Sequence, residues 1–373
     1  MPQPLSGLLV LDFTTLLPGP LATLMLAEAG AEVIKIERPG GDELRGYAPR
    51  LDRDSAAFCL LNRGKRSLVL DLKSHDDQAR LAPLVARADI LVEQFRPGVM
   101  ERLGLGYAAV RAINPRLIYC SISGYGQSGP RAGEAGHDLN YIGNTGLLAL
   151  NPGSPDRPTV PPALVADIGG GSFPAVMNIL LALRQRDQTG EGCHLDIAMA
   201  DAMFTFAWHA FAAGQATGRY PAPGEARLAG GSPRYALYPT RDGALVCCAA
   251  LEQRFWLAFC TAIGLGGALI DDAADPQATR AEVARLVAAR SAAEWQPVLA
   301  AADCCATLVT SLEEAMRDPH FVARGLFAYR VAGRGGRTIA ALPLPIAPCF
   351  RDGAVDKASP PLDEKSQTAQ EEM

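Results

Sequence analysis

Short runs of branched apolar residues alternate with helix-period segments through residues 8–213, and few architectures tolerate that alternation. Residues 8–12 read as a strand, Pro18-Gly19-Pro20 as a turn, 21–28 as a helix closed by Gly30, and 32–36 as a second strand. Further strands are expected at 67–72, 90–93 and 117–123, with a helix at 76–88. Two strong helices, 173–186 and 199–213, flank a strand at 194–197. Such a sequence makes right-handed βαβ crossovers and a parallel sheet covered on both faces. The expected fold class is α/β, with a Rossmann-like parallel sheet in a large domain over 1–213.

Composition then shifts. Residues 214–234 are rich in Gly, Pro and Ala and read as a linker, followed by strands at 235–239 and 244–250 and by Ala-rich helices. This describes a smaller α+β domain over 235–325. Residues 326–355, with short strands and Pro-rich turns, are expected to complete the large domain, and the polar stretch 356–373 to be disordered. A length of 373 residues accommodates two domains. A net charge of −5 argues against a nucleic-acid surface, so a polyanionic ligand must meet a local basic cluster. The nine cysteines include no CxxC; Cys247-Cys248 and Cys304-Cys305 read as small buried thiols in a reducing compartment. No secretory leader pattern and no bilayer-length apolar stretch is evident. A cytoplasmic protein without membrane partners is expected.

Three residues stand where chemistry is plausible. His137 follows the glycine-crowded loop Ser123-Gly124-Tyr125-Gly126-Gln127-Ser128-Gly129-Pro130 and opens Gly136-His137-Asp138-Leu139-Asn140-Tyr141. Asp167 ends an apolar run and precedes Ile168-Gly169-Gly170-Gly171-Ser172 and a helical pattern, where a carboxylate meets unpaired N–H groups. Glu252 lies just past the apolar strand ending at Ala250. Together they can supply an acid, a base and a group that orients the base. Arg38, Arg63, Lys65, Arg66, Lys73, Arg96, Arg102 and Arg131 lie mostly at strand ends or in adjoining loops, where open α/β sheets bind ligands. A nicotinamide dinucleotide is disfavoured: the first turn reads Leu17-Pro18-Gly19-Pro20 in place of G-x-G-x-x-G. No metal-ligand spacing and no G-x-S-x-G elbow is present.

Taken in order, these segments resemble the family III CoA transferases (CaiB/BaiF), the group that includes α-methylacyl-CoA racemase. The likeness spans about Leu5 to Pro348. Its other marks are Gly30-Ala31-Glu32-Val33-Ile34-Lys35-Ile36-Glu37-Arg38-Pro39, Asn62-Arg63-Gly64-Lys65-Arg66, Arg96-Pro97-Gly98, Val165-Ala166-Asp167 and Gly230-Gly231-Ser232-Pro233. The resemblance implies that Asp167 is either the nucleophile of a CoA transferase or, in the racemase branch, the partner of a histidine that a distant glutamate supports. His137 and Glu252 match those two racemase positions. CoA contacts carry over to Arg38, Lys73, Arg96, Arg102 and the stretch 136–141, including Gly136 and Tyr141. The resemblance further implies an interlocked homodimer and no cofactor beyond the CoA of the substrate. Departures fall at Ala163, at Glu225-Ala226-Arg227-Leu228-Ala229 and at Arg234. The expected reaction is racemisation of a 2-methylacyl-CoA through an enolate, its oxygen held by backbone N–H groups beside Asp167. The alternative is CoA transfer between an acyl-CoA and a carboxylic acid.

Overall fold

A computed structural model describes residues 3–353 and 355–363. The chain divides into two compact units: one built from Met1–Thr145, Pro162–Met203 and the segment from Pro319 onward, the other from Gly146–Pro161 and Phe204–Asp318. These bounds differ from the expected ones. Residues 146–161 leave the first unit for the second, and the run 214–234, expected as a linker, lies within the second unit.

The first unit is organised by six strands: β1 (Leu9–Phe13), β2 (Glu32–Glu37), β3 (Arg66–Val69), β4 (Ile90–Glu93), β5 (Ile118–Ser123) and β6 (His194–Ala198). They hydrogen-bond in the order β6-β5-β4-β1-β2-β3, every pairing parallel. This is the doubly wound order of dinucleotide-binding sheets, reached here without the glycine fingerprint. All five residues of β1 are buried, as a strand covered on both faces requires. On one face Leu9, Leu11, Phe13, Ile34, Ile36 and Leu91 meet Leu81 and Val85 of α3 (His75–Arg87). Elsewhere in the unit, α1 (Pro18–Glu28) is buried along almost its whole length, and its Leu21, Leu24 and Met25 cluster with Phe58 and Leu61 of α2 (Ala56–Asn62). Pro18-Gly19-Pro20, expected as a turn, forms the first turn of α1, where proline loses no helical hydrogen bond.

Further helices of this unit include α4 (Val99–Arg102), α5 (Tyr107–Ile113), α6 (Asp138–Asn144) and α7 (Phe173–Thr189). Val165–Ser172 winds as a wide π-helical segment that runs directly into α7. The 25-residue run Val165–Thr189 is long and apolar enough to cross a membrane by length and composition, contrary to expectation. Ala175, Ile179, Ala182 and Leu183 are nevertheless buried within the protein. The C-terminal part returns as β10 (Arg330–Ala332), β11 (Thr338–Ala340) and β12 (Asp356–Ala358), with β12 parallel to β10. Disorder from residue 356 is therefore corrected at its start. Lys357 Nζ lies 3.4 Å from Glu28, and Gly64 N donates to Ala358 O, which holds this strand. Residues 364–373 lie outside the described residues.

The second unit contains α8 (Trp208–Thr217) and an antiparallel sheet of β7 (Tyr235–Pro239), β8 (Leu245–Ala249) and β9 (Ala306–Leu308). Helices α9 (Gln253–Ile263), α10 (Pro276–Val287) and α11 (Ala292–Ala302) supply Trp256, Phe259, Val283, Val287 and Trp295 to its core. The three-residue β9 was not expected, since so short a run carries no periodicity.

Candidate active site

Strand order reverses between β1 and β4, and the loops leaving these two strands form one wall of a cleft of about 600 Å³. The β1 loop is held from within. Asp12 accepts from Thr14 N at 2.9 Å and from Thr14 Oγ1 at 2.5 Å, and the buried Lys35 ammonium donates to Thr14 O at 2.6 Å. Lys35 also pairs with Asp42 at 2.9 Å, and Lys65 with Asp12 at 3.0 Å. This network keeps Leu16, which lines the cleft, at φ 59°, a left-handed backbone that costs a non-glycine residue about 1–2 kcal/mol. Across the reversal, Gly19 N donates to Gln94 Oε1 at 2.9 Å.

The opposite wall comes from Gly124, the segment 134–137 and α6. Tyr141 is wedged between two glycines: a Cβ on Gly124 would fall 2.6 Å from its ring, and one on Gly136 2.7 Å. Its hydroxyl donates to Gly136 O at 2.5 Å, and its ring meets Tyr125 edge-on at 5.2 Å. Both glycines of the motif are thus required by one aromatic ring. His137 sits at the N-cap of α6, exposed, with its own N–H donated to Asn140 Oδ1 at 3.0 Å.

Asp167 lies in the first turn of the π-helical segment and lines the same cleft as His137. Burial, reinforced by the Asp138 carboxylate and opposed by His137, pushes its carboxyl up to about 6. The buried Asp138 accepts from Ala166 N at 2.6 Å and from Asp167 N at 3.0 Å. The N–H groups of Ala166 and Asp167 are therefore engaged by a carboxylate, which leaves any oxyanion to other N–H groups of the segment.

Arg96, Gly136 and Tyr141 line the cleft with His137 and Asp167. Arg38 and Lys73 line a second cleft of about 370 Å³, together with Thr14, Thr15 and Leu72. Phe95 and Glu43 border both clefts, so the two adjoin. Arg102 is exposed on α4 and lines neither of them. Two members of the expected basic cluster are interior: Arg63 pairs with Glu28 at 2.9 Å, and Lys65 donates among Asp12, Thr23, Asn62 and Pro20 O. Their charges are spent inside the protein. Arg66 and Arg131 pair with Glu32 and Glu134 at the surface.

Glu252 belongs to the second unit, where it is the exposed N-cap of α9. The carbonyl before it, Leu251 O, accepts from Arg227 at 3.2 Å and from Arg234 at 3.4 Å. Arg234 also donates twice to Asp272 Oδ1, at 2.9 and 2.6 Å, and lies 5.1 Å above the Trp256 ring. Sequence reasoning treated Asp138 only as part of a motif and missed what its side chain does. An acidic residue directly after a candidate histidine, in a segment otherwise crowded with glycine, was the available signal.

Residues 5–366 match the CoA-transferase family III. The chain belongs to that family. The acetyl-CoA:oxalate CoA-transferase of Acetobacter aceti is 35% identical over 384 residues, 99% of this chain and 96% of that one. The human α-methylacyl-CoA racemase is 36% identical over 330 residues, 87% of this chain and 82% of that one. A CaiB/BaiF family protein from Brucella suis, known from a crystal structure, matches with a TM-score of 0.82 at 30% identity, covering 100% of both chains. Family III relatives thus include both transferases and racemases, and both are enzymes.

Proposed function

We propose that this family III enzyme racemises 2-methylacyl-CoA thioesters by 1,1-proton transfer. The observation that carries this reading is that His137 and Asp167 line one cleft, with the carboxyl of Asp167 pushed up to about 6. One member of the pair removes the α-proton from one face, leaving an enolate, and the other returns a proton to the opposite face. The pair must begin with one proton between them, and a carboxyl that is hard to ionise lets either member carry it. The enolate oxygen must be met by groups other than the N–H groups of Ala166 and Asp167, which Asp138 occupies. The CoA part of the substrate is assigned to the adjoining cleft, with Arg38 and Lys73 at its phosphates and Arg96, Gly136 and Tyr141 near the thioester. Arg102 is retained as an outer CoA contact, and no cofactor beyond this CoA is invoked.

Glu252 is assigned as the orienter of His137, brought to it between the chains of an interlocked homodimer. Exposed apolar side chains support such an assembly: Phe173, Met177, Leu180 and Leu181 on the first unit, and Trp208 and Phe211 on the second. All nine cysteines are unpaired, which fits the reducing cytoplasm as its compartment.

A second reading is CoA transfer, favoured by the near-complete match to the oxalate transferase. There the ionised Asp167 attacks the thioester carbonyl and expels CoA thiolate, forming an acyl-aspartyl anhydride; the thiolate then attacks the aspartyl carbonyl and releases the first acid. One experiment separates the two. A chiral 2-methylacyl-CoA is incubated in D₂O with no acceptor acid, and the α-hydrogen is followed. Exchange that disappears in His137→Ala supports racemisation. Absence of exchange, with CoA passing to an added carboxylate and hydroxylamine trapping Asp167, overturns it.

A further inference from the structure

His137 and Asp138 are consecutive, yet the first is exposed and the second is buried at the start of α6. Asp138 Oδ1 reaches across 28 and 29 residues to accept from Ala166 N at 2.6 Å and from Asp167 N at 3.0 Å. Those N–H groups open the π-helical segment, and the first donors of a helix have no acceptor within it. A single carboxylate oxygen therefore fixes the backbone of the residue whose side chain enters the cleft.

We propose that Asp138 is a positioning residue: its buried carboxylate, bonded to the backbone of Ala166 and Asp167, sets where the Asp167 carboxyl stands. It acts through Asp167 and does not touch substrate. This rests on the reading of Asp167 as the reacting carboxyl and holds for either reaction. The same carboxylate also bears on ionisation, since after burial it is the largest influence raising Asp167, against His137. The titratable or charged groups around Asp167 are His137, Asp138 and Tyr141 at α6, with Glu43, Arg96 and Glu134 in the cleft walls. The loops after β1 and β6 contribute Pro18 and Met199 to the cleft, which carry no charge.

The test compares Asp138→Asn, which keeps an acceptor oxygen but loses the charge, with Asp138→Ala, which loses both. In the full-length protein without substrate, hydrogen exchange of residues 163–170 and the ¹³C titration of Asp167, assigned with Asp167→Asn, are measured. In Asp138→Ala the amides of 166 and 167 should exchange roughly tenfold faster or more, the loss of a hydrogen bond to a charged group. Asp138→Asn should retain most of that protection, while Asp167 titrates below the wild-type value of about 6. In turnover, Asp138→Ala should lose kcat with little change in KM, and Asp138→Asn should recover much of it. Unchanged exchange in a folded Asp138→Ala protein overturns the proposal. If that variant fails to fold, an unmoved Asp167 titration in Asp138→Asn overturns it instead. A wild-type enzyme that exchanges no α-hydrogen counts against racemisation, while the two substrate-free measurements still decide the role of Asp138.

Discussion

The Asp167 carboxyl should weaken the folded protein at neutral pH, and removing its charge should stabilise it. Raising an aspartate from 3.8 to about 6 makes its ionisation in the folded state harder by about 3 kcal/mol, at 1.36 kcal/mol per pKa unit. The side chain is only partly buried, so solvent screening reduces the usable figure to about 1–2 kcal/mol. The folded-state value is the higher one, so folding is favoured while the group stays protonated. That contribution is complete below the ordinary aspartate value and is lost as pH rises through about 6. Asp167→Asn mimics the protonated acid at every pH. It should therefore be more stable than wild type by about 1–2 kcal/mol at pH 7.5, and equal to it near pH 4. Urea unfolding of both proteins without CoA across this range measures the gap, and activity is expected to vanish in the variant. A gap that is absent at pH 7.5, or that does not change with pH, refutes the argument that burial and Asp138 hold this proton.

Gly136→Ala places a methyl group 2.7 Å from the Tyr141 ring, an overpacking expected to cost about 1–3 kcal/mol and to raise the KM for acyl-CoA; thermal unfolding and initial rates check it. Lys65→Met leaves Asp12 buried without its closest cation and should cost about 3–5 kcal/mol in urea unfolding. Burial would raise Asp12, but Lys65 and Lys35 hold it well below the usual range, so its contribution is present above the ordinary aspartate value and lost in acid. The variant should accordingly show a shallower acid-side loss of stability. Arg234→Leu strips Asp272 and the Leu251 carbonyl of a partner and should lower stability by about 2 kcal/mol with unchanged preference between acyl chains. Unfolding midpoints and the ratio of kcat/KM for two acyl-CoA substrates test it, and altered preference at unchanged stability would show that Arg234 shapes the acyl pocket.

The parallel sheet was legible because its central strands are buried on both faces, and β1 consequently reads as a nearly unbroken apolar run, while β2 keeps Val33, Ile34 and Ile36 beside the buried Lys35 and Glu37. His137 and Asp167 were legible because glycine and short apolar segments frame them. What sequence could not disclose was direction. Arg63 and Lys65 lie in the loop between a helix and a strand, and both turn inward to Glu28 and Asp12. Nothing local distinguishes an arginine that meets solvent from one that meets a glutamate 35 residues away. The return of Asp356–Ala358 as a strand was hidden for the same reason, because its partner β10 and the Glu28 carboxylate lie far off in sequence. Position 234 departs from the racemase pattern, but its arginine is bonded to Asp272 and stacked on Trp256, a framework role that a motif comparison cannot separate from a specificity role.

The electrostatics of Asp167 bear on which family III chemistry suits the site. A racemase must run equally from either enantiomer, so its two proton carriers should hold the proton with similar strength. Burial and Asp138 lift the Asp167 carboxyl to about 6, so it holds a proton more readily than an ordinary aspartate. A carboxyl of about 6 is still mostly ionised at neutral pH and is more basic than an ordinary aspartate, so it stays a competent nucleophile as well. The raised carboxyl thus serves the proposed proton exchange and leaves acyl transfer chemically open, so α-hydrogen exchange in D₂O is the measurement that separates the two.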